Sequence, residues 1–457
     1  MELLTGPTGV LQWKEDKAYN GYTVVAPSFS KKTYLIDMDG DVVHEWQHEH
    51  APGLYAELLP NGNLLRGIRL ENAPTNYGGS AGGVQEIDWN GKVVWEHIVC
   101  DEMHIQHHCF KRAPNGNTFI LCWEKKTYEE ALAKGRNAGT MEKYGYESHG
   151  IKQRGLWPDY VIEVDKNNKV VWEWHAWDHV GTGVDELDIN FRLPIPTGYL
   201  AQGDWTHFNT IDYDPVNDIV MLNSRNFGEF YFIDRKSGKI VYRWGNPCAY
   251  GKGRMPSFGD DGDQILFGPH CPQFTDKGTV LLFDNGWLRP ELNRSRAVEM
   301  NPKTGEIVWE FQSHNPNAFS SPFQGATQRL PNGNTMVTST NAGQVFEVTP
   351  EKEVVWVFNC PWAFQGVAKR VIIDEVDAMQ QDSSAGIQFN MVHRAYRYGA
   401  DYAGLKGKDL KKIRHCVDAP YWHKEFAPLT AKDQADAAAK AEEIAAAKAA
   451  AEEAAKK

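Results

Sequence analysis

Short runs of alternating apolar and polar residues, broken by polar turns, recur along the chain. One phrase repeats. It is a short apolar strand, an acidic turn with Gly or Asn, then two β-branched residues and a ring. It reads "YLIDMDGDVVHEW" at Tyr34 to Trp46 and "VQEIDWNGKVVWEH" at Val84 to His97. It returns as "YVIEVDKNNKVVWEW" ending at Trp174 and "FYFIDRKSGKIVYRW" ending at Trp244. "AVEMNPKTGEIVWEF" ends at Phe311 and "VFEVTPEKEVVWVF" at Phe358. The aligned ring is His44, Trp95, Trp172, Tyr242, Trp309 or Trp356. Each phrase predicts a hairpin, with β-rich arms around a turn that needs Asp, Asn or Gly.

A second phrase alternates with the first. It starts at Ala56 ("AELLPNGNLLRG"), His107 ("HHCFKRAPNGNTFILCW"), His207 ("HFNTIDYDPVNDIVMLNS"), His270 ("HCPQFTDKGTVLLFDNG") and Gly325 ("GATQRLPNGNTMVTST"). Two hairpins make one four-stranded sheet. Counting pairs gives five complete sheets from Ala56 to Phe358. A sixth forms if "FNMVHRAYRYGADY", from Phe389, pairs with the hairpin at Tyr34 to Trp46. The prediction is an all-β, six-bladed β-propeller over residues 1–430, closed by a clasp between the two chain ends. An open solenoid or two sandwiches are the competing arrangements. Residues 431–457 are rich in Ala, Glu and Lys, which predicts an exposed helical tail.

The second phrase begins each blade's innermost strand, beside the axis. Aligned on the turn, one position reads Leu54, His108, His207, His270 and Gly325, with His393 in the closing blade. A single His at the start of a strand is ordinarily a satisfied core residue. A position that is His in four of six blades is not what core packing asks for, because buried polar groups must be satisfied. His104 and His107 lie close by; strand alternation places His107 and His108 on opposite faces, so only one of them enters the channel. Nearby loops offer Asn209, Asn223, Ser224, Arg225, Asn226, Asp284, Asn285 and Arg289. Arg225 and Arg289 suit the oxygens of a sulfate, phosphate or carboxylate, or else surface ion pairs.

Long non-strand segments at Lys125 to Pro158, Ala176 to Gln202, Asn246 to Pro269, Gly286 to Arg296 and Pro361 to Gln388 leave the blades at comparable points. They predict a lid over one face. Trp157, Trp177, Trp205, Phe227 and Trp287 either receive a planar organic substrate or pack the lid itself.

Composition narrows this reading. The chain has 457 residues, 42% of them hydrophobic, with 16 Trp, which fits a large globular core. Net charge is −12 and no basic stripe is present, which argues against a nucleic-acid partner. No apolar run reaches the about 18 residues of a membrane helix, so no membrane partner is expected. The first residues lack a signal-peptide pattern, and seven Cys without CxxC spacing fit reduced thiols. These point to the cytoplasm, or to the periplasm if a leader was removed. A homo-oligomer is compatible with the sequence.

The phrases "GDWTHFNTIDYDPVNDIVMLNSRNFGEFYFIDRKSGKIVYRWG", "GPHCPQFTDKGTVLLFDNGWLRP", "GATQRLPNGNTMVTST" and "EWHAWDHV" resemble the bacterial arylsulfotransferase family over roughly residues 30 to 400. The resemblance implies a six-bladed propeller. It also implies transfer of a sulfuryl group from an aryl sulfate to a phenol through a covalent sulfohistidine. On it, His207 and His270 match two family histidines, and Arg289 the arginine after the DNG. The family nucleophile lies in a later blade, where this chain carries Gly325 and no His. Characterised members are exported and often carry an extra N-terminal β-domain, and this chain shows neither feature.

Three readings stay open at this stage. In the first, the site is cofactor-free, with His270 as nucleophile, His207 as acid and base, and Arg289, His108 and His393 around the sulfate; Asn209, Arg225, Asn285, Trp205 and Trp287 bind a small aromatic substrate. In the second, His108, His207, His270 and His393 ligate a transition metal ion for lyase, hydrolase or oxygenase chemistry. In the third, the propeller is a non-catalytic binding platform.

Overall fold

In a computed structural model of the chain, the described residues are 8–362 and 390–416, apart from 29, 76, 139–145, 149–150, 154, 192–202 and 293. They belong to one unit, 1–363 with 389–416. The expected helix at 431–457 and most of the segment from Pro361 to Gln388 lie outside the described residues.

Six antiparallel sheets surround one axis, as the repeat predicts. Blade one is Pro52–Leu58, Leu64–Arg69, Gly82–Ile87 and Val93–Ile98. Blade two is His104–Arg112, Thr118–Glu124, Asp159–Val164 and Val170–His175. Blade three is Phe208–Asp214, Ile219–Ser224, Glu229–Asp234 and Ile240–Trp244. Blade four is His270–Phe274, Val280–Asp284, Arg296–Asn301 and Glu306–Phe311. Blade five is Ala326–Arg329, Thr335–Ser339, Gln344–Val348 and Val354–Asn359, with Gly9–Trp13 added outside.

Blade six joins the chain ends, but not by the pairing expected. Val392–Gly399 lies innermost and pairs with Gly21–Pro27, which stands between it and the hairpin of Lys32–Ile36 and Asp41–Gln47. The strand "GYTVVAP" supplies the row that the predicted hairpin lacked.

The blades are held by devices that recur because the sequence recurs. Apolar side chains meet between neighbours: Val24, Leu35 and Trp46 of blade six pack on Leu58, Leu64 and Ile87 of blade one. The ring of the first phrase reaches the next blade's turn. Trp172 Nε1 donates to Arg235 O, Trp309 Nε1 to Pro350 O and Trp356 Nε1 to Met38 O. A buried Glu in the third strand pairs with an Arg of the following blade: Glu86 with Arg112, Glu163 with Arg235, Glu299 with Arg329, Glu347 with Arg397. Each of these Glu also accepts from the turn of its own blade, from Asn63, Asn117, Thr279 and Asn334.

Candidate active site

The inner strands of blades one, two, three, four and six break their ladder register near the same end of the axis. Register shifts fall at Pro52/Ala56, around His107 to Cys109, between Phe208 and Thr210, between His270 and Gln273, and opposite His393 and Arg394. Leu54, His108, His207, Cys271 and Gln324 have positive φ, at 84°, 32°, 43°, 54° and 58°. Such geometry costs a non-glycine residue about 1–3 kcal/mol and collects at functional sites. A bulge re-aims the side chains beside it.

That re-aiming overturns the alternation argument for His107 and His108. Both rings enter one cluster, with centroids 4.7 Å apart. His107 also meets His207 at 4.9 Å, His108 meets His393 at 5.1 Å, and His393 meets His270 at 6.4 Å. Five imidazoles from blades two, three, four and six form one connected row. His107 stacks on Trp123. Gly79, at φ 102°, closes over the pair; a Cβ there would stand 2.6 Å from His108 Cδ2 and 2.8 Å from His107 Nε2. His104 stays outside, half-exposed, on Asp101.

Three of the five are oriented through Nδ1. His207 Nδ1 donates to Asp204 Oδ2. His107 Nδ1 lies 2.7 Å from Asp159 Oδ1. His270 Nδ1 donates to the Asn285 side-chain oxygen at 2.7 Å and to Gly268 O at 3.0 Å. A donor at Nδ1 leaves the Nε2 lone pair free in the neutral ring. Among the described residues, neither ring nitrogen of His393 has a partner, nor has His108 Nδ1 or His107 Nε2, all of them buried.

Burial holds His107, His108, His270 and His393 well below the usual imidazole range. The Arg225 cation adds to this at His270, and Arg394 at His393. Burial, then Asp204, pushes the Asp159 carboxyl up. Asp159 also accepts from the Thr206 hydroxyl at 2.6 Å and from Phe208 N at 2.7 Å, tying blade two to the residues beside His207.

The "LNSRN" segment clamps the backbone of "GDWTH". Ser224 Oγ donates to Thr206 O, Arg225 N to His207 O and Asn226 Nδ2 to Asp204 O. Asn209 is buried, and its amide donates to Pro269 O at 2.8 Å, as Asn223 does at 2.7 Å. Asn209 therefore links His207's strand to the residue before His270. Asn285 likewise orients His270 and anchors Ser321 O and Gln324 O.

The two arginines differ. Arg289 is bound by Asp284 and Asp261 and by Ile265 O, so its charge is neutralised behind the loop. Arg225 is buried 4.2 Å above the Trp287 ring, and among the described residues no carboxylate contacts it. Burial brings its pKa down to about 10. Trp205 packs inside the lid on Phe227 and donates to Asp188 O. Trp157 is buried in the group of Tyr77, Ile105 and Trp123, and Trp177 lies between Lys126 and Lys134. Among the described residues, no group of three or more His, Cys, Asp or Glu is arranged to hold a metal ion, and His108, His207, His270 and His393 form no such set.

Sequence reasoning missed Asp204, Asp159, Thr206 and Gly79. The one signal present was the Asp three residues before His207 in "GDWTH".

The family model described as "Arylsulfotransferase (ASST)" matches residues 10–398. The chain is 25% identical over 373 residues to "Arylsulfate sulfotransferase AssT" of Lelliottia amnigena, and 26% identical to the protein of that name from Escherichia coli O6:H1. Each match covers 69% of this chain and 58% of the relative, so the chain spans under two thirds of the length of these curated relatives. A solved structure, a protein of unknown function from Bacteroides caccae, is similar with a TM-score of 0.46 at 15% identity, covering 74% of this chain and 94% of that one.

Proposed function

Because the chain belongs to the arylsulfotransferase family, we propose that its histidine cluster moves a sulfuryl group from an aryl sulfate to a phenol. One contrast carries the assignment of roles. His207 and His270 are both oriented through Nδ1, but His207 by a carboxylate and His270 by an amide and a carbonyl. A carboxylate supports the imidazolium, so His207 suits proton transfer. Burial, and then the Arg225 cation, keeps His270 uncharged and nucleophilic, with no carboxylate on its Nδ1 to oppose them.

In the first half, His270 Nε2 bonds to sulfur and the S–O bond to the aryl group breaks. The leaving phenolate takes the proton of His207 Nε2. In the second half, His207 takes the proton of the acceptor phenol, whose oxygen bonds to sulfur as the N–S bond breaks. Arg225 faces the sulfuryl oxygens, with His108 and His393 along the same row. Arg289 acts at one remove. It neutralises Asp284, which holds Phe267 N and Gly286 N on either side of the His270 pocket.

The test is nitrophenolate release from p-nitrophenyl sulfate that depends on added phenol. With donor alone, a His270 peptide gains the mass of one sulfuryl group. A modified peptide containing another histidine overturns the assignment. An unmodified protein that still turns over overturns the covalent route.

A further inference from the structure

The other mouth of the axial channel holds a cavity of about 190 Å³. Its wall is built where the inner strands end, by Glu57, Lys111, Asp212, Gln328, Tyr396 and Tyr398, and Arg394 forms part of its lining. An engineered apolar cavity of about 150 Å³ accepts benzene, so this one has room for a small organic molecule.

Most of its polar groups are already satisfied. Lys111 pairs with Asp212 at 2.8 Å, and Asp212 also accepts from Phe274 N. Gln328 uses both ends of its amide on the Arg397 backbone. Two charges stand apart. Arg394 is 3% exposed, lies 4.4 Å over the Tyr55 ring and donates to Asn209 O, Thr210 Oγ1 and Cys109 Sγ; among the described residues no carboxylate pairs with it and its Nε has no acceptor. Glu57 is half-buried, and among the described residues no hydrogen bond or ion pair reaches its carboxyl group. Burial pushes that carboxyl up, and the Lys111 and Arg394 cations offset this only in part, so a cation in direct contact would favour the charged form. Buried charges are ordinarily paired.

We propose that this mouth binds a small zwitterion of the α-amino acid class, with its carboxylate on Arg394 and its ammonium on Glu57. One such molecule answers both charges at once, and the Tyr396 and Tyr398 rings line the same cavity. A simple anion would leave Glu57 unanswered, and a simple amine would leave Arg394. The inference does not rest on sulfuryl transfer.

The experiment is titration calorimetry on the full chain with glycine, L-alanine and L-serine, against acetate and methylamine. At least one zwitterion is expected to bind ten-fold or more tightly than either half-molecule. Glu57→Gln should lower that affinity ten-fold or more without moving the melting temperature, and His270→Ala should leave it unchanged. Arg394→Lys should weaken binding; if that variant does not fold, Glu57→Gln decides. Absence of binding by all three zwitterions, equal binding of acetate or methylamine, or full affinity in Glu57→Gln each overturns the proposal.

Discussion

His270 donates its Nδ1 hydrogen to the side-chain oxygen of Asn285, 2.7 Å away and fifteen residues on along the same blade. The partner is neutral by necessity, because Asn285 also donates to two backbone carbonyls. Asn285→Asp would set a carboxylate there, and so favour the imidazolium at His270. The expected result is less sulfuryl label on His270 at pH 6 than at pH 8, with the acid limb of the rate profile moved upward from its wild-type position. An unmoved limb would show that this hydrogen bond does not tune the nucleophile.

Asp204 supports the opposite state at His207. Asp204→Asn should cost roughly 10²–10⁴ in rate, the usual worth of general acid–base catalysis. The loss should be largest for aryl sulfates whose phenols are poor leaving groups, and smallest for p-nitrophenyl sulfate. A loss independent of the leaving group, measured as a series of kcat/KM values, argues against the acid role.

Arg225→Lys keeps the charge and removes the fork over Trp287. It should lower kcat by about ten-fold or more, with folding intact. Arg289→Ala should act differently, because it takes the counter-ion from Asp261 and leaves Asp284 with Arg296 alone. Its melting temperature should fall. Comparing kcat with thermal unfolding tests whether Arg225 meets substrate while Arg289 holds the loop.

Four histidines of the cluster are kept neutral by burial, and His48 is lowered to about 2. Their folded values lie below the unfolded one of about 6.5. The stability tied to the neutral rings is therefore present above about pH 6.5 and is lost as pH falls below it, at about 1.4 kcal/mol per group per pH unit. Urea midpoints should drop steeply between pH 7 and pH 5. Replacing His48 by Gln should make that slope shallower.

The ring is closed by the buried pair of Glu347 in blade five and Arg397 in blade six. Removing one member strands a charge. Glu347→Ala should cost about 3–5 kcal/mol in urea unfolding, more than the loss of the half-exposed Arg414–Glu45 pair at the rim.

The propeller was legible because its signals are local and repeated. Each hairpin carries its own turn residues and alternation, so six sheets could be counted without any long-range information. The cluster was half legible. Aligning the second phrase found His108, His207, His270 and His393, since the repeat fixes which strand lies innermost. It could not find His107 because alternation assumes an extended backbone, and the positive φ of His108 breaks that assumption. Nor could it separate Arg225 from Arg289. Their difference lies in Asp261, twenty-eight residues upstream of Arg289, and in Asp284, which stood in the quoted "FDNG" and was read there as a pocket residue instead of a counter-ion. Trp205 and Asn209 spend their side-chain hydrogen bonds on Asp188 O and Pro269 O, partners that no local pattern reveals.

The innermost strand of blade six comes from residues 392–399, and its neighbours from residues 21–47. During synthesis the first of these strands must wait for nearly the whole chain to leave the ribosome, with an open edge that invites wrong partners. The segment that ends this wait also brings His393 and Arg394. A nascent chain halted before residue 390 therefore has no complete histidine row and no complete cavity. The closing strand delivers structure and chemistry together, so an unfinished chain cannot be a half-active one.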